Sequence, residues 1–156
     1  MKVERQATPE LQRLAGVVER VGVAMLATLG PDGSMRSRPL HTVELDAQGR
    51  LWFFTEADAP KSAEMDAHDH QVCLSYADPG TDLYASVSGT GRVVHDRSRM
   101  LERWTPRLET WFPRGMDDER LALLEVRIDK AELWDGENVK TSGPRTAAPG
   151  DEARPA

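Results

Sequence analysis

Turn-forming residues divide this chain into short strand-like segments, and that division limits its fold more than any other feature. Gly, Pro and Asp cluster at 30–33, 46–49 and 79–80, as in tight turns. Alternating or β-branched residues predict strands over 23–29, 34–45, 50–55, 71–78, 83–95 and 121–128, the last with an extension over 130–134. Six strands with turns about every eight to twelve residues favour a mainly β fold, a small β-barrel with peripheral helices. Gly89 and Gly91 favour the bulge that closing a barrel requires.

Three helices are predicted around the strands. Thr8 is a good N-cap, Pro9 suits a first helical turn, and apolar residues then recur at helical spacing until Gly22. A short helix is expected over 60–70. The segment 97–111 is typical of a helix that is broken or kinked at Pro106.

Length and charge narrow the class of protein. A chain of 156 residues can bury one substantial core, and we expect a single domain over 1–136 followed by a disordered tail over 137–156. The net charge of −6 argues against a surface for duplex nucleic acid. Without an apolar run of ~18 residues or an export signal, the protein is expected to be soluble and cytoplasmic, with no membrane partner.

Cysteine and histidine offer little metal chemistry. Cys73 is the only cysteine, so an internal disulfide and a cysteine metal cage are excluded, and a buried apolar role is expected. His68 and His70 would point to different faces of a helix, which favours solvated surface over a metal site.

Two neighbouring segments predict a binding site. One is Ser37-Arg38-Pro39-Leu40, and the other is Leu51-Trp52-Phe53-Phe54-Thr55 with Lys61 following it. Aromatic side chains between two cations can accept a flat ring and a phosphate, which indicates a phosphorylated aromatic cofactor. Ordinary solvated surface charges are the alternative for both cations.

An ordered set of short motifs adds a family resemblance. The chain resembles the pyridoxamine 5′-phosphate oxidase-like split-barrel flavoproteins, and among them the bacterial general stress proteins, over about 7–136. The matching strings are Pro31-Asp32-Gly33, Arg38-Pro39-Leu40, Leu51-Trp52-Phe53-Phe54-Thr55, Lys61, Ser86-Val87-Ser88-Gly89, Trp111-Phe112-Pro113-Arg114-Gly115 and Glu132-Leu133-Trp134-Asp135. The resemblance implies a six-stranded split β-barrel of the FMN-binding type that forms a homodimer, with FMN in clefts made by both subunits.

The resemblance also implies roles for individual residues. Arg38, within Arg38-Pro39-Leu40, and Lys61 match the residues that hold the FMN phosphate. Phe54 and Thr55 match a strand end that lines the isoalloxazine ring and the ribityl chain. The further cofactor contacts, each with packing as the alternative, are Tyr84, Ser86 and Trp134.

Departures from the family pattern limit the substrate. The oxidases of this family carry basic residues at positions where this chain has Val43 and Pro60, although Arg36 lies on the same strand face as Arg38 and can compensate. They also carry an arginine-histidine substrate motif after the tryptophan that Trp134 matches, and here that motif is missing. Vitamin B6 oxidation is therefore not expected.

The aromatic and histidine residues outside these motifs are expected to pack. His41 is expected to pack between strands, with contact to flavin or substrate as the alternative. Trp104, Trp111 and Phe112 are expected to bury against the barrel, and the resemblance adds that Trp111 or Phe112 can cover the partner subunit's cleft.

The leading hypothesis is an FMN-dependent oxidoreductase that accepts hydride from a reduced nicotinamide and passes electrons to a small molecule. No general acid or base is needed for such a transfer, since the flavin supplies the chemistry. The alternatives are a stress protein that binds or sequesters flavin without turnover, and a relative that holds deazaflavin or haem.

Overall fold

The computed structural model describes residues 1–57, 70–136 and 138–142, the last of these as backbone alone. Outside these ranges lie Lys61, His68 and all of the predicted helix over 60–70 except His70. The predicted tail lies outside them at residue 137 and beyond residue 142. The strands are β1 (Lys2–Val3), β2 (Val23–Leu29), β3 (Met35–Leu45), β4 (Arg50–Glu56), β5 (Gln71–Asp78), β6 (Leu83–Val94), β7 (Leu121–Asp135) and β8 (Asn138–Ser142). The helices are α1 (Pro9–Val21) and α2 (Arg97–Arg103), with 3-10 turns at Pro79–Thr81, Pro106–Thr110 and Gly115–Asp117.

Six antiparallel strands close into a barrel. The order β3-β2-β5-β6-β7-β4 returns to its start because β3 also pairs with β4. β1 adds a short parallel strand beside β3, and β8 pairs with β7. The predicted six-stranded barrel with peripheral helices is confirmed.

Helix α1 begins and ends where the sequence indicates. Thr8 Oγ1 accepts a hydrogen bond from the Leu11 amide at 3.2 Å, Pro9 starts the helix, and Gly22 ends it with φ 75°. The buried side chains of α1 join the core formed by the inward side chains of the barrel. The helix therefore covers the barrel interior.

Strand β4 is buried on both faces. Leu51 and Phe53 point into the barrel core, whereas Trp52 and Phe54 belong to a second cluster outside the barrel. Helix α2 and the segment that follows it cover this second cluster through Met100 and other side chains. Burial on two faces explains why the aromatic segment lacks the polar alternation of a half-exposed strand.

Two segments beyond β6 refine the predicted boundaries. The helical segment expected over 97–111 is broken at Pro106, as the sequence allows: α2 ends at Arg103, because Pro106 lacks an amide hydrogen and holds Thr105 in an extended conformation with φ −131° and ψ 150°. The backbone of Asn138–Ser142 pairs with β7, beyond the expected end of the domain at Gly136.

A bulge interrupts the pairing of the two longest strands. The register of β6 on β7 shifts between Ser88 and Gly89, as the glycines of this strand indicated. A Cβ at Gly89 would overlap the carbonyl oxygen of Arg127 and lie 3.1 Å from Val126 Cγ1. Only glycine allows this close approach of the two backbones.

None of the helices in the described part of the chain combines the length and the apolar character needed to cross a membrane.

The close approach at Gly89 leads to a prediction about stability. Gly89→Ala should lower the free energy of unfolding by about 2–3 kcal/mol, since the β6–β7 backbones must separate. Gly16→Ala is the matched control, because a Cβ at Gly16 in α1 meets nothing within 4 Å. That control should raise the free energy of unfolding by about 0.5–1 kcal/mol, since alanine favours a helix over glycine. Urea denaturation measures both, and equal stability of Gly89→Ala and the wild type would contradict the account.

Candidate functional site

The strands β3 and β4 pair over only part of their length. Their register runs from Thr42 opposite Phe53 to Leu45 opposite Leu51. Within the described residues, the first part of β3 pairs with β2, and residues 54–56 of β4 pair with β7. The gap between 36–41 of β3 and 54–56 of β4 is called the split below.

Arg38 lies on the inward face of β3 beside the split. Its cross-strand partner is Leu26, which is fully buried in the barrel core. Arg38 Nη1 donates a hydrogen bond of 2.8 Å to Thr28 Oγ1, and the Thr28 residue is only 3% exposed. Arg36, opposite Thr28, lies on the same face and is exposed. Two guanidinium groups therefore share this face, and one of them is held by a buried hydroxyl.

Leu40 and Thr55 supply the apolar and polar surfaces near Arg38. Leu40 is half-buried and packs against the barrel core. Thr55 follows Phe53 on the inward face of β4 and is 1% exposed. Within the described residues its Oγ1 atom has no hydrogen-bond partner. A buried hydroxyl without a partner is costly, which makes Thr55 a candidate ligand contact.

The side chain of Phe54 points away from these groups. It packs edge-on against Trp104, with ring centroids 5.4 Å apart, and lies 6.4 Å from Phe112. Both Trp104 and Phe112 pack against the outer cluster, as the sequence predicts. The ring of Phe54 therefore belongs to the outer cluster and does not line the inward side of β4.

Tyr84, Ser86 and Trp134 form a separate group. Tyr84 and Trp134 are cross-strand neighbours on β6 and β7, and all three residues are half-buried. Ser86 Oγ lies 3.7 Å from Cys73 Sγ, and Cys73 is half-buried rather than part of the core. These side chains occupy the outer face of the barrel.

A single chain does not gather the predicted contacts into one cleft. Pro39, Met25, Ser75 and Ser86 are successive cross-strand partners across β3, β2, β5 and β6. At ~4.8 Å per strand, Pro39 and Ser86 are about 14 Å apart. Arg38, Leu40 and Thr55 face inward, whereas Pro39, Ser86 and their neighbours face outward. The two groups thus lie on opposite faces of the sheet.

Apolar side chains lie uncovered on the outer face of β2 and β3. This surface is called the open face below, and its exposed large residues are Met25, Leu29 and Met35. The exposed Pro39 and Ser75 lie beside Met25. Exposed apolar side chains that cluster on a flat sheet are typical of an interaction surface.

His41 and Trp111 form a close, tilted ring pair beside the open face, with an angle of 38° between the ring planes. Their ring centroids are 3.6 Å apart. Burial lowers the pKa of His41, and the positive charge of Arg107 lowers it further. Trp111 is 47% exposed, so its predicted burial against the barrel is wrong. The 3-10 turn at Pro106–Thr110 replaces the predicted helix and turns this indole onto the imidazole.

Sequence reasoning missed Thr28 as part of the site. The turn at 30–33 places Leu29 opposite Met35, which sets Thr28 opposite Arg36 and on the face of Arg38. Extending the hairpin register from the turn would have found it.

The closed barrel with its split defines the class of protein, and the sequence defines the family. Residues 9–144 match the family described as pyridoxamine 5′-phosphate oxidase like, and the chain belongs to that family. A general stress family protein from Xanthomonas campestris pv. campestris is 32% identical, with a TM-score of 0.67 over 88% of this chain and 95% of that chain.

Two further relatives are similar over different lengths. The general stress FMN/FAD binding protein of Xanthomonas citri is 29% identical, with a TM-score of 0.70 over 87% of this chain and 96% of that chain. Protein bli-3 of Neurospora crassa is 28% identical over 86 residues, which cover 50% of this chain. The match covers only 41% of bli-3.

The His41–Trp111 pair predicts a pH dependence. Because the folded state depresses the pKa of His41, the stability it contributes is present above the ordinary value of 6.5 and is lost as the pH falls below it. An NMR titration should give a midpoint for His41 below 6.5, and Arg107→Gln should raise it only in part, since burial is the larger cause. His41→Gln should lose less stability than the wild type between about pH 7.5 and about pH 5. A midpoint at or above the ordinary value would contradict this prediction.

Proposed function

We propose that this chain binds FMN at the split, holds its phosphate with Arg38 and Lys61, and acts as a flavin-dependent oxidoreductase. The observation that carries the proposal is the half-buried Arg38, whose guanidinium donates a hydrogen bond to the buried Thr28 on the inward face beside the split. A fixed planar cation suits a dianionic phosphate monoester, because charge-assisted hydrogen bonds are about twice as strong as neutral ones.

The other groups at the split fit the rest of the cofactor. Leu40 gives an apolar surface for a flat ring, and the Thr55 hydroxyl, buried without a partner among the described residues, can bond to a ribityl hydroxyl. Similarity to the Xanthomonas citri protein that is described as FMN/FAD binding also supports a flavin as the ligand. We favour FMN over FAD because a terminal phosphate matches the two cations that the sequence motif provides.

Bound FMN would supply two-electron redox chemistry, and the protein would supply binding, orientation and access. Arg38 and Lys61 would fix the phosphate, and Thr55 would orient the sugar chain. A reduced nicotinamide is the proposed hydride donor, with a small molecule other than vitamin B6 as acceptor, since the arginine-histidine motif is missing after Trp134. If anaerobic mixing with NADH or NADPH leaves the flavin oxidised, the protein binds or sequesters flavin instead.

Flavin binding is tested by titrating FMN into cofactor-free protein and following the quenching of flavin fluorescence. Lys61→Ala should weaken binding by about 1–3 kcal/mol, and Arg38→Ala by at least as much, because each removes a charge-assisted contact to the phosphate. Arg13→Ala is the control, since Arg13 is exposed on α1, and it should bind as the wild type does.

The absence of both quenching and visible flavin bands in the wild type would refute flavin binding. Tighter binding of a phosphorylated deazaflavin than of FMN in competition would reassign the cofactor. Unchanged affinity in Lys61→Ala would remove that residue from the site.

We further propose that two copies of this chain pair through their open faces and complete the cofactor cleft. The supporting observation is that Tyr84, Ser86 and Trp134 share the outer surface of the barrel and lie on the opposite face from Arg38. A partner subunit whose outer surface covers the split can bring these side chains to a flavin that Arg38 holds.

Pairing is tested by replacing Met25, which is 41% exposed on the open face. Met25→Arg should give a monomer in sedimentation velocity and weaken FMN binding, because it places a charge at the centre of the contact. Leu101→Arg is the matched control, since Leu101 is 56% exposed on α2, and it should leave both properties unchanged. A wild-type protein that sediments as a monomer would contradict the dimer.

A further inference from the structure

We propose that Thr28 is a positioning residue that aims the Arg38 guanidinium at a flavin phosphate and thereby sets a preference for FMN over riboflavin. The inference rests on the proposed function, because it assigns the group that prepares Arg38 for its ligand. Thr28 itself need not touch the cofactor.

The geometry of the pair supports this role. Thr28 on β2 and Arg38 on β3 lie diagonally across the hairpin, and Thr28 Oγ1 accepts the 2.8 Å hydrogen bond from Arg38 Nη1. A guanidinium has five N–H donors, so a single bond to Thr28 does not by itself exhaust the donors that a bidentate contact with phosphate oxygens needs. The hydroxyl can orient the cation without competing for the ligand.

Burial makes the anchor rigid. Thr28 belongs to the inward face of β2 with Ala24 and Leu26, both fully buried in the barrel core. A β-branched side chain on a packed strand has few rotamers, so its hydroxyl is held in place. An arginine that is already ordered loses less conformational entropy when it binds an anion.

Arg36 shows the contrast on the same strand face. It is exposed at the position directly opposite Thr28, whereas Arg38 is half-buried. Successive side chains on one strand face start about 6.8 Å apart, so the two arginines occupy neighbouring positions yet differ in burial. The hydroxyl of Thr28 bonds to Arg38, the more buried of the two and the one beside the split.

A purely structural role for Thr28 predicts a different result. If the Thr28 hydroxyl only packs within the barrel, its removal should lower the stability of the fold or change the affinity for every flavin equally. If it positions Arg38, the loss should be confined to ligands that carry the phosphate. Riboflavin shares the ring and the ribityl chain of FMN but lacks the phosphate, and it therefore separates the two roles.

The experiment titrates FMN and riboflavin separately into cofactor-free wild type, Thr28→Val and Thr28→Ser. Thr28→Val keeps the shape and removes the acceptor, and should lower FMN affinity about fivefold while riboflavin affinity stays within about twofold. Thr28→Ser keeps the acceptor and should retain the wild-type preference for FMN. Thermal unfolding of each variant checks the fold, and Thr28→Ala replaces Thr28→Val if the latter does not fold.

The possible outcomes distinguish the positioning role of Thr28 from the proposed binding of flavin. Equal losses for FMN and riboflavin in Thr28→Val, or an unchanged ratio of the two affinities, would overturn the role of Thr28. A wild type that binds both flavins equally would overturn it as well, since Arg38 would then not select the phosphate. A wild type that binds neither flavin would instead refute the proposed function.

Discussion

Strands β3 and β4 hold the barrel closed through a short stretch of pairing. The register from Thr42 opposite Phe53 to Leu45 opposite Leu51 closes the barrel, and its end leaves the split. Closure satisfies the strand edges that an open sheet would expose, and the split is the place at which we propose that a flavin binds. The extent of the β3–β4 pairing therefore sets both the closure of the barrel and the position of the proposed site.

Polar contacts hold α2 against the paired part of β3 and β4. The buried Glu44 on β3 forms an ion pair with Arg103 at the end of α2. Trp52 Nε1 donates to Asp46 Oδ2 at 3.0 Å, and the Arg103 guanidinium lies 5.0 Å from the Trp52 ring. These contacts fix the segment that carries Trp104 and Phe112 over Phe54. The outer aromatic cluster therefore supports β4, which borders the split, on the outer face of that strand.

Local signals made most of the fold predictable. The N-cap at Thr8, the glycine at 22 and the turn at 30–33 act over a few residues, and the structure agrees with them. The break after α2 depends on Pro106, at which the sequence already indicates a break or a kink. The separation of Pro39 on β3 from Ser86 on β6 follows from strand order, which single-sequence patterns do not encode. Thr28 was within reach, because the hairpin register places it, but a lone threonine in an apolar strand carries no chemical motif.

A crystal structure of the protein grown with FMN would show whether Arg38 holds the phosphate. The phosphate should lie within hydrogen-bond distance of Arg38 at the split, with the Arg38–Thr28 bond retained and the ring beside Leu40 and Thr55. A phosphate bound away from Arg38, or a flavin seated with no contact to either edge of the split, would contradict this proposal.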